Sequence, residues 1–186
     1  SASVLTKRAS SEASARLKLA SVAAIAREYT GAMLRGSCLC GDVGFEIDGP
    51  VAPLSHCHCS ICRKQHGTAF GSFAAASAKS FRWLRGQERI RRFESSPGAF
   101  RGFCPRCGSV VPAESGGDTV FVPLGLVDGD PKLGPLPHIF VGSKAPWHEI
   151  ADDAPRFDAF PPGIGTGSPT KRATEPKPDV VRGACL

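Results

Sequence analysis

Seven cysteines fall into three short-spaced clusters. Cys38 and Cys40 form a CxC, Cys57, Cys59 and Cys62 form a CxCxxC inside "SHCHCSICRKQHG", and Cys104 and Cys107 form a CxxC inside "CPRCG". An eighth, Cys185, stands alone. Disulfides, a redox dithiol and metal sites all use such spacings. In a small secreted chain the first would come to mind. Residues i and i+2 of an extended strand, however, point the same way without meeting the strict geometry of a disulfide. The chain also contains no asparagine, hence no N-glycosylation acceptor. A redox CxxC needs a βαβ context, and no such pattern surrounds these residues. Short pairs beside Pro and Gly are the signature of zinc knuckles. In "CPRCG", Pro105 fixes the turn and Gly108 permits the backbone conformation that follows.

A tetrahedral zinc site takes four ligands, so seven cysteines complete one four-thiol site and leave three. The first partition joins Cys38 and Cys40 to Cys104 and Cys107, closing a structural site that staples the first strand to the middle of the chain. Cys57, Cys59 and Cys62 then share a second zinc whose fourth place is vacant or filled by water or substrate. A second partition, Cys59 and Cys62 with Cys104 and Cys107, is an ordinary zinc ribbon and strands Cys38, Cys40 and Cys57. His56, His58 or His66 can also close the second site. His56 and His58 neighbour ligands in an extended segment and so point away from the metal, which leaves His66 as the histidine to mutate first.

These clusters need a scaffold. The 186 residues suffice for one ordinary domain with tails, and 41% hydrophobic against 22% charged residues is a globular balance. With 21 Gly and 16 Pro, many turns and little long helix are expected, and eleven Phe against two Trp and one Tyr point to phenylalanine in the aromatic core. The net charge of +6 belongs to the ends. Residues 1–36 carry Lys7, Arg8, Arg16, Lys18, Arg27 and Arg35 against Glu12 and Glu28, and residues 161–186 carry Lys171, Arg172, Lys177 and Arg182 against Glu175 and Asp179. Residues 37–160 are neutral, which removes the usual basic footprint of a nucleic-acid-binding domain. "RIRRFE" (Arg89 to Glu94) reads as the solvated face of a strand.

Residues 1–33 form an N-terminal extension rich in Ala and Ser, with Leu19, Val22, Ala26 and Tyr29 on one helical stripe. It reads as an upstream or artificially appended segment, Met33 being a plausible start, against transit-peptide and weak secretory-signal alternatives. No stretch approaches the ~20 apolar residues of a membrane span. From Gly36 the pattern shifts to period two. "DVGFEID" sends Val43, Phe45 and Ile47 inward, and "TAFGSFAAAS", "ERIRRFES", "GAFRGFC", "GSVVPAES" and "TVFVPLGLVDG" are further strands between Gly/Pro/Ser/Asp turns. "SICRKQHG" is expected to be a brief helical turn. Residues 34–160 are thus a mainly β domain, and residues 161–186 a disordered tail. Cys185 lacks the position of a prenylation cysteine and is read as a free thiol without a role.

"GSCLCGDVGFEI", "SHCHCSICRKQHGTAF", "FCPRCGSVV" and "PHIFVGSKAPWHEIADDAPRF", in this order, resemble the glutathione-dependent formaldehyde-activating enzyme (GFA) family, also called the centromere protein V/GFA domain. The resemblance spans roughly residues 34–160. It implies a β-tent type fold with two Zn2+ sites: Cys38, Cys40, Cys104 and Cys107 as structural ligands, Cys57, Cys59 and Cys62 as ligands of a catalytic-type zinc. It implies a carbon–sulfur lyase that joins glutathione, as co-substrate, to formaldehyde or another small aldehyde, giving S-(hydroxymethyl)glutathione. Three thiolates against a 2+ ion weaken Lewis acidity, which favours delivery of a substrate thiolate over carbonyl activation. Arg63, Lys64 and Lys144 are candidate partners for glutathione's carboxylates, while Trp147 and Phe70 are expected in the core or a pocket wall. The alternative is a non-catalytic zinc-stapled module that carries or senses thiols or binds a protein. The expected partners are small molecules, with no nucleic acid and no membrane. The expected compartment is the reducing cytoplasm, or an organelle if residues 1–32 are a transit peptide.

Overall fold

The computed structural model describes residues 33–114 and 117–161. The expectations for residues 1–32, for the C-terminal tail and for Cys185 lie outside the described residues.

Two sheets face one another. The first has the order β10–β1–β2–β5, with β1 (Leu34–Ser37), β2 (Gly44–Ile47), β5 (Phe81–Arg85) and β10 (Val127–Asp128), all antiparallel. The second has the order β12–β11–β3–β4–β9–β8. It contains β3 (Val51–Cys57), β4 (Gly71–Ser77), β8 (Ala113–Glu114), β9 (Thr119–Pro123), β11 (His138–Ile139) and β12 (Arg156–Phe157). Here β11 runs parallel to both β3 and β12. A separate hairpin pairs β6 (Arg91–Ser96) with β7 (Ala99–Phe103). Among the described residues there is one α-helix, α1 (Ser60–His66). The chain is mainly β, as its period-two pattern requires.

The core lies between the sheets. Leu34, Phe45 and Ile47 from the first meet Val51, Ala74, Ala76, Val120 and Val122 from the second. Burying side chains of the size of Phe45 and Ile47 contributes roughly 1.5–3 kcal/mol each. Val43, Phe45 and Ile47 do point inward, but Glu46 between them is buried as well. The register places Glu46 beside Arg35 on one strand and Arg82 on the other, and both guanidiniums pair with its carboxylate. Phenylalanine supplies most of the aromatic core, as expected, through Phe45 and Phe81 between the sheets and Phe73, Phe140 and Phe157 beside the second cysteine cluster. Phe45 is fully buried against Phe81 and Trp83, whereas Phe93, Phe100, Phe121 and Phe160 are exposed and small residues such as Ala74 and Ala76 bring the sheets together.

Most expected strands form. "RIRRFE" contributes to the exposed hairpin strand β6, as a solvated face should. Five strands are not legible: β1, β3, β5 and the two-residue β11 and β12. Pro53 masks β3, where the register shifts between Pro53 and Ser55, and "FRWLR" of β5 is too charged to show its inward face. No helix among the described residues is long and apolar enough to cross a membrane.

Candidate metal centres

The turn from β1 to β2 and the turn after β7 meet at one end of the molecule. Gly41 N–H donates to the Cys38 carbonyl at 2.9 Å, and Gly108 N–H donates to the Cys104 carbonyl at 2.9 Å. Each turn therefore curls its two sulfurs to one side. Gly108 has φ 75°, the left-handed conformation expected of the residue after the knuckle. The CxC pair occupies a turn rather than an extended strand. The four sulfurs of Cys38, Cys40, Cys104 and Cys107 lie within 4.8 Å of one another. Cys38 and Cys40 are 3.5 Å apart, and Cys40 and Cys104 are 3.7 Å apart. A tetrahedron with Zn–S of about 2.3 Å has sulfur–sulfur edges of ~3.8 Å, so this thiol set fits zinc.

Ser109 links the two turns. Its hydroxyl accepts from Leu39 N–H at 3.1 Å and lies 3.3 Å from the Cys107 sulfur. Hydrogen bonding to the side chain and backbone of Ser109 pulls the Cys107 thiol down to about 5. Val43 N–H donates to the Cys38 sulfur at 3.3 Å. Such N–H donors favour thiolates, the form that a metal takes. Nothing in the spacing of the cysteines marked Ser109. Asp42 ties the same end together by accepting from Arg106 at 2.9 Å and Arg89 at 3.4 Å.

The second cluster sits where β3 runs into α1. Cys57 ends the strand, Cys59 caps the helix and Cys62 lies in its first turn. Cys62 N–H donates to the Cys59 sulfur at 3.4 Å, and Arg63 N–H to the Cys59 carbonyl at 3.0 Å. Gly67, with φ 63°, ends the helix. The three sulfurs again lie within 4.8 Å of one another. Hydrogen bonds from the Cys57 and Cys62 thiols, together with backbone N–H groups, hold the Cys59 thiol far below its ordinary range. Cys57 is pushed up to about 11, chiefly by its hydrogen bond with Cys59, and Cys62 is pushed up by both neighbours. One negative charge is thus accommodated readily and three are not, unless a cation sits among them. Ile139, Phe73, Phe140 and Phe157 wall this centre.

All seven described cysteines are free thiols. The ribbon grouping of Cys59 and Cys62 with Cys104 and Cys107 does not form, and among the described residues no histidine belongs to either sulfur set. His66 packs edge-on against Phe73, and its Nε2 is buried without a hydrogen-bond partner among the described residues. His56 Nδ1 is 2.9 Å from the Ser72 hydroxyl. His58 is fully buried, its Nε2 2.8 Å from His138 Nδ1. Burial first, then the neighbouring His138, lowers His58 to about 4. Phe70 packs among these imidazoles. Arg63 donates to the His58 carbonyl at 3.3 Å, Lys64 is exposed, and Lys144 donates to the carbonyls of Ala145 and His148. Trp147 is 72% exposed and therefore not core; it lines a cleft of about 550 Å³ with Lys144, His148, Glu149 and Arg156.

Fold and thiols together define a mainly β protein of one domain with two cysteine clusters able to bind zinc. The chain belongs to the family of the glutathione-dependent formaldehyde-activating enzyme, whose model matches residues 33–143. A Halomonas elongata protein, provisionally named a glutathione-dependent formaldehyde-activating enzyme, is 30% identical over 135 residues, covering 63% of this chain and 81% of its own. An uncharacterized lyase of Schizosaccharomyces pombe is 30% identical over 76 residues, covering 41% of this chain and 53% of its own. A crystal structure of a Rhodobacter sphaeroides protein shares 26% identity with a TM-score of 0.44, covering 56% of this chain and 98% of that one.

Proposed function

We propose that the protein is a zinc-dependent carbon–sulfur lyase that joins glutathione, or a related thiol, to formaldehyde or another small aldehyde. One observation carries the reading: Cys57, Cys59 and Cys62 converge as three sulfurs, one short of a tetrahedral set, while the other four thiols make a complete one. Family membership and the named relatives support a glutathione-related lyase.

In this reading Cys38, Cys40, Cys104 and Cys107 hold a structural zinc, and Cys57, Cys59 and Cys62 hold the reactive one. The ion there would supply positive charge that favours a substrate sulfur as thiolate in the fourth place. Cys57 and Cys62 are buried and Cys59 is half-buried, so the approach is over Cys59. Phe73, Phe140 and Phe157 pack against the cluster as apolar walls. The reaction forms one C–S bond, opens the aldehyde C=O to a hydroxyl and moves the thiol's proton to that oxygen. The reverse breaks the same C–S bond.

The test is a glutathione titration of the zinc-loaded chain followed by metal-edge spectroscopy, with adduct formation measured alongside. A fourth sulfur at one of two zincs, and adduct formation faster than in buffer, are expected. Two zincs that ignore every thiol would overturn the reading in favour of a non-catalytic zinc-stapled module.

A further inference from the structure

Phe140 breaks both the backbone and the side-chain pattern of its strand. It has φ 56° and ψ 39°, the left-handed region, where a bulky side chain is an outlier. It also departs from the alternation of β11. His138 turns its ring to one face of the sheet, with Nδ1 2.8 Å from His58 Nε2 and Nε2 3.1 Å from the Asp152 carboxylate. Ile139 turns to the other face, against Cys57 and Cys62. Continued alternation would send Phe140 back to the His138 face. Instead its ring packs against the thiol cluster together with Ile139. The left-handed turn brings two consecutive side chains to one face.

The turn is held on either side of the residue. His58 N–H donates to the Ile139 carbonyl at 2.9 Å, and Ser143 N–H donates to the Phe140 carbonyl at 3.0 Å. The Phe160 ring stands edge-on to that of Phe140, with 5.0 Å between centroids. A glycine would adopt this backbone without steric cost. A phenylalanine held there is a strained residue beside a candidate reactive centre, where such residues concentrate.

The burial pattern gives the ring a task. Cys57, Cys62 and Ile139 are buried, whereas Cys59, Phe73, Phe140 and Phe157 around them are half-buried. A molecule from solvent therefore meets the sulfurs between Cys59 and these three rings. We propose that Phe140 is a specificity-determining residue: its ring limits the size of the aldehyde, admitting formaldehyde and disfavouring aldehydes with a longer carbon chain. The inference rests on the thiol-addition reading of the centre. The new C–S bond forms at a sulfur inside this rim, so whatever else the aldehyde carbon carries must fit against it. Hydrogen fits most readily. Of the three rings, Phe140 is the one that a left-handed backbone turns onto the thiols, with Phe160 packed against it.

The experiment compares kcat/KM for formaldehyde and for propanal, with glutathione, in the zinc-loaded full chain and in its Phe140→Gly and Phe140→Leu variants. Glycine keeps the left-handed turn and removes the ring. Wild type should favour formaldehyde, and Phe140→Gly should move the ratio toward propanal by about tenfold or more, the scale set by a methylene in an apolar pocket. Phe140→Leu should move it the same way by less, and it carries the comparison if the glycine variant loses zinc. An unchanged ratio, or equal losses on both aldehydes, would overturn the size role and leave Phe140 a packing residue. If wild type forms no adduct with either aldehyde, the lyase reading falls by itself. Size selection is then decided by metal-edge spectra with ethanethiol and tert-butanethiol. Wild type should take up the first sulfur and not the second, and Phe140→Gly should take up both. The same uptake by both proteins would overturn the selection.

Discussion

The sulfur of Cys40 lies 3.7 Å from the sulfur of Cys104, a residue 64 positions further along the chain. The apolar packing at that end is limited: Val43 and Val111 are buried with Cys38 and Cys104, and the half-buried Trp83 and Ile90 pack against them. Such a cluster is a weak clamp for two turns, so a metal among the thiols would carry much of the closure. Cys104→Ala is expected to lower bound zinc from two equivalents to one and to cost several kcal/mol, since binding at a structural zinc is worth about 10–16 kcal/mol in zinc-finger peptides. Metal analysis with thermal unfolding checks both. Unchanged melting in excess chelator would show that the sulfurs staple nothing.

The second centre should behave differently. Cys57→Ser removes one of three sulfurs from a β3–α1 corner that backbone hydrogen bonds already shape. The expected result is loss of one zinc and of thiol-addition activity, with a melting temperature much closer to wild type than that of Cys104→Ala. Paired measurements on the two variants test the proposed division into a structural and a reactive site. Equal destabilisation by both would contradict that division.

The sulfur partition is legible because metal ligands repeat at short spacings that a sequence displays directly. So is the alternation of Val43, Phe45 and Ile47, and the helical turn after Cys59. Contacts between distant residues are not. His58 and His138 meet across 80 positions, and a single hydrogen bond of that separation leaves no local pattern. From its neighbours in sequence alone His58 is a bystander, although its ring is buried and joined to a surface carboxylate through His138. Ser109 and Glu46 escape notice for a related reason. Each looks like an ordinary exposed polar residue until a neighbouring element covers it.

Glu46 gives a prediction of its own. Its side chain is 4% exposed, while those of Arg35 and Arg82 are 65% and 62% exposed. The carboxylate is buried by the arginines that neutralise it. Arg82→Ala removes cover and counter-charge together, leaving Arg35 at 3.5 Å. The expected loss is about 1–3 kcal/mol, the range for a buried polar group left under-satisfied. Glu46→Gln with Arg82→Ala should lose less than the sum of the two single changes, because the residues share one interaction. Urea unfolding of the four proteins measures that coupling, and strict additivity would refute it.

Gly36 tests how closely the first sheet must pack. It sits on β1 opposite Phe45, and its neighbours in space are that ring and a backbone carbonyl. A Cβ there would stand 2.4 Å from Phe45 Cζ and 2.5 Å from the Leu126 carbonyl oxygen. The ring is fixed by Phe81 and Trp83, and the carbonyl belongs to the turn that leads into β10, so neither can swing aside. Gly36→Ala is expected to destabilise by about 1–3 kcal/mol, the usual range for overpacking. Gly41→Ala is the control. Nothing lies within 4 Å of its Cβ position, and its cost comes from a φ of 77° alone. A Phe45→Leu change made together with Gly36→Ala should recover part of the loss in thermal unfolding, whereas the same change beside Gly41→Ala should only add to it. Recovery in neither background would mean that the Leu126 carbonyl, rather than the ring, sets the limit on this strand.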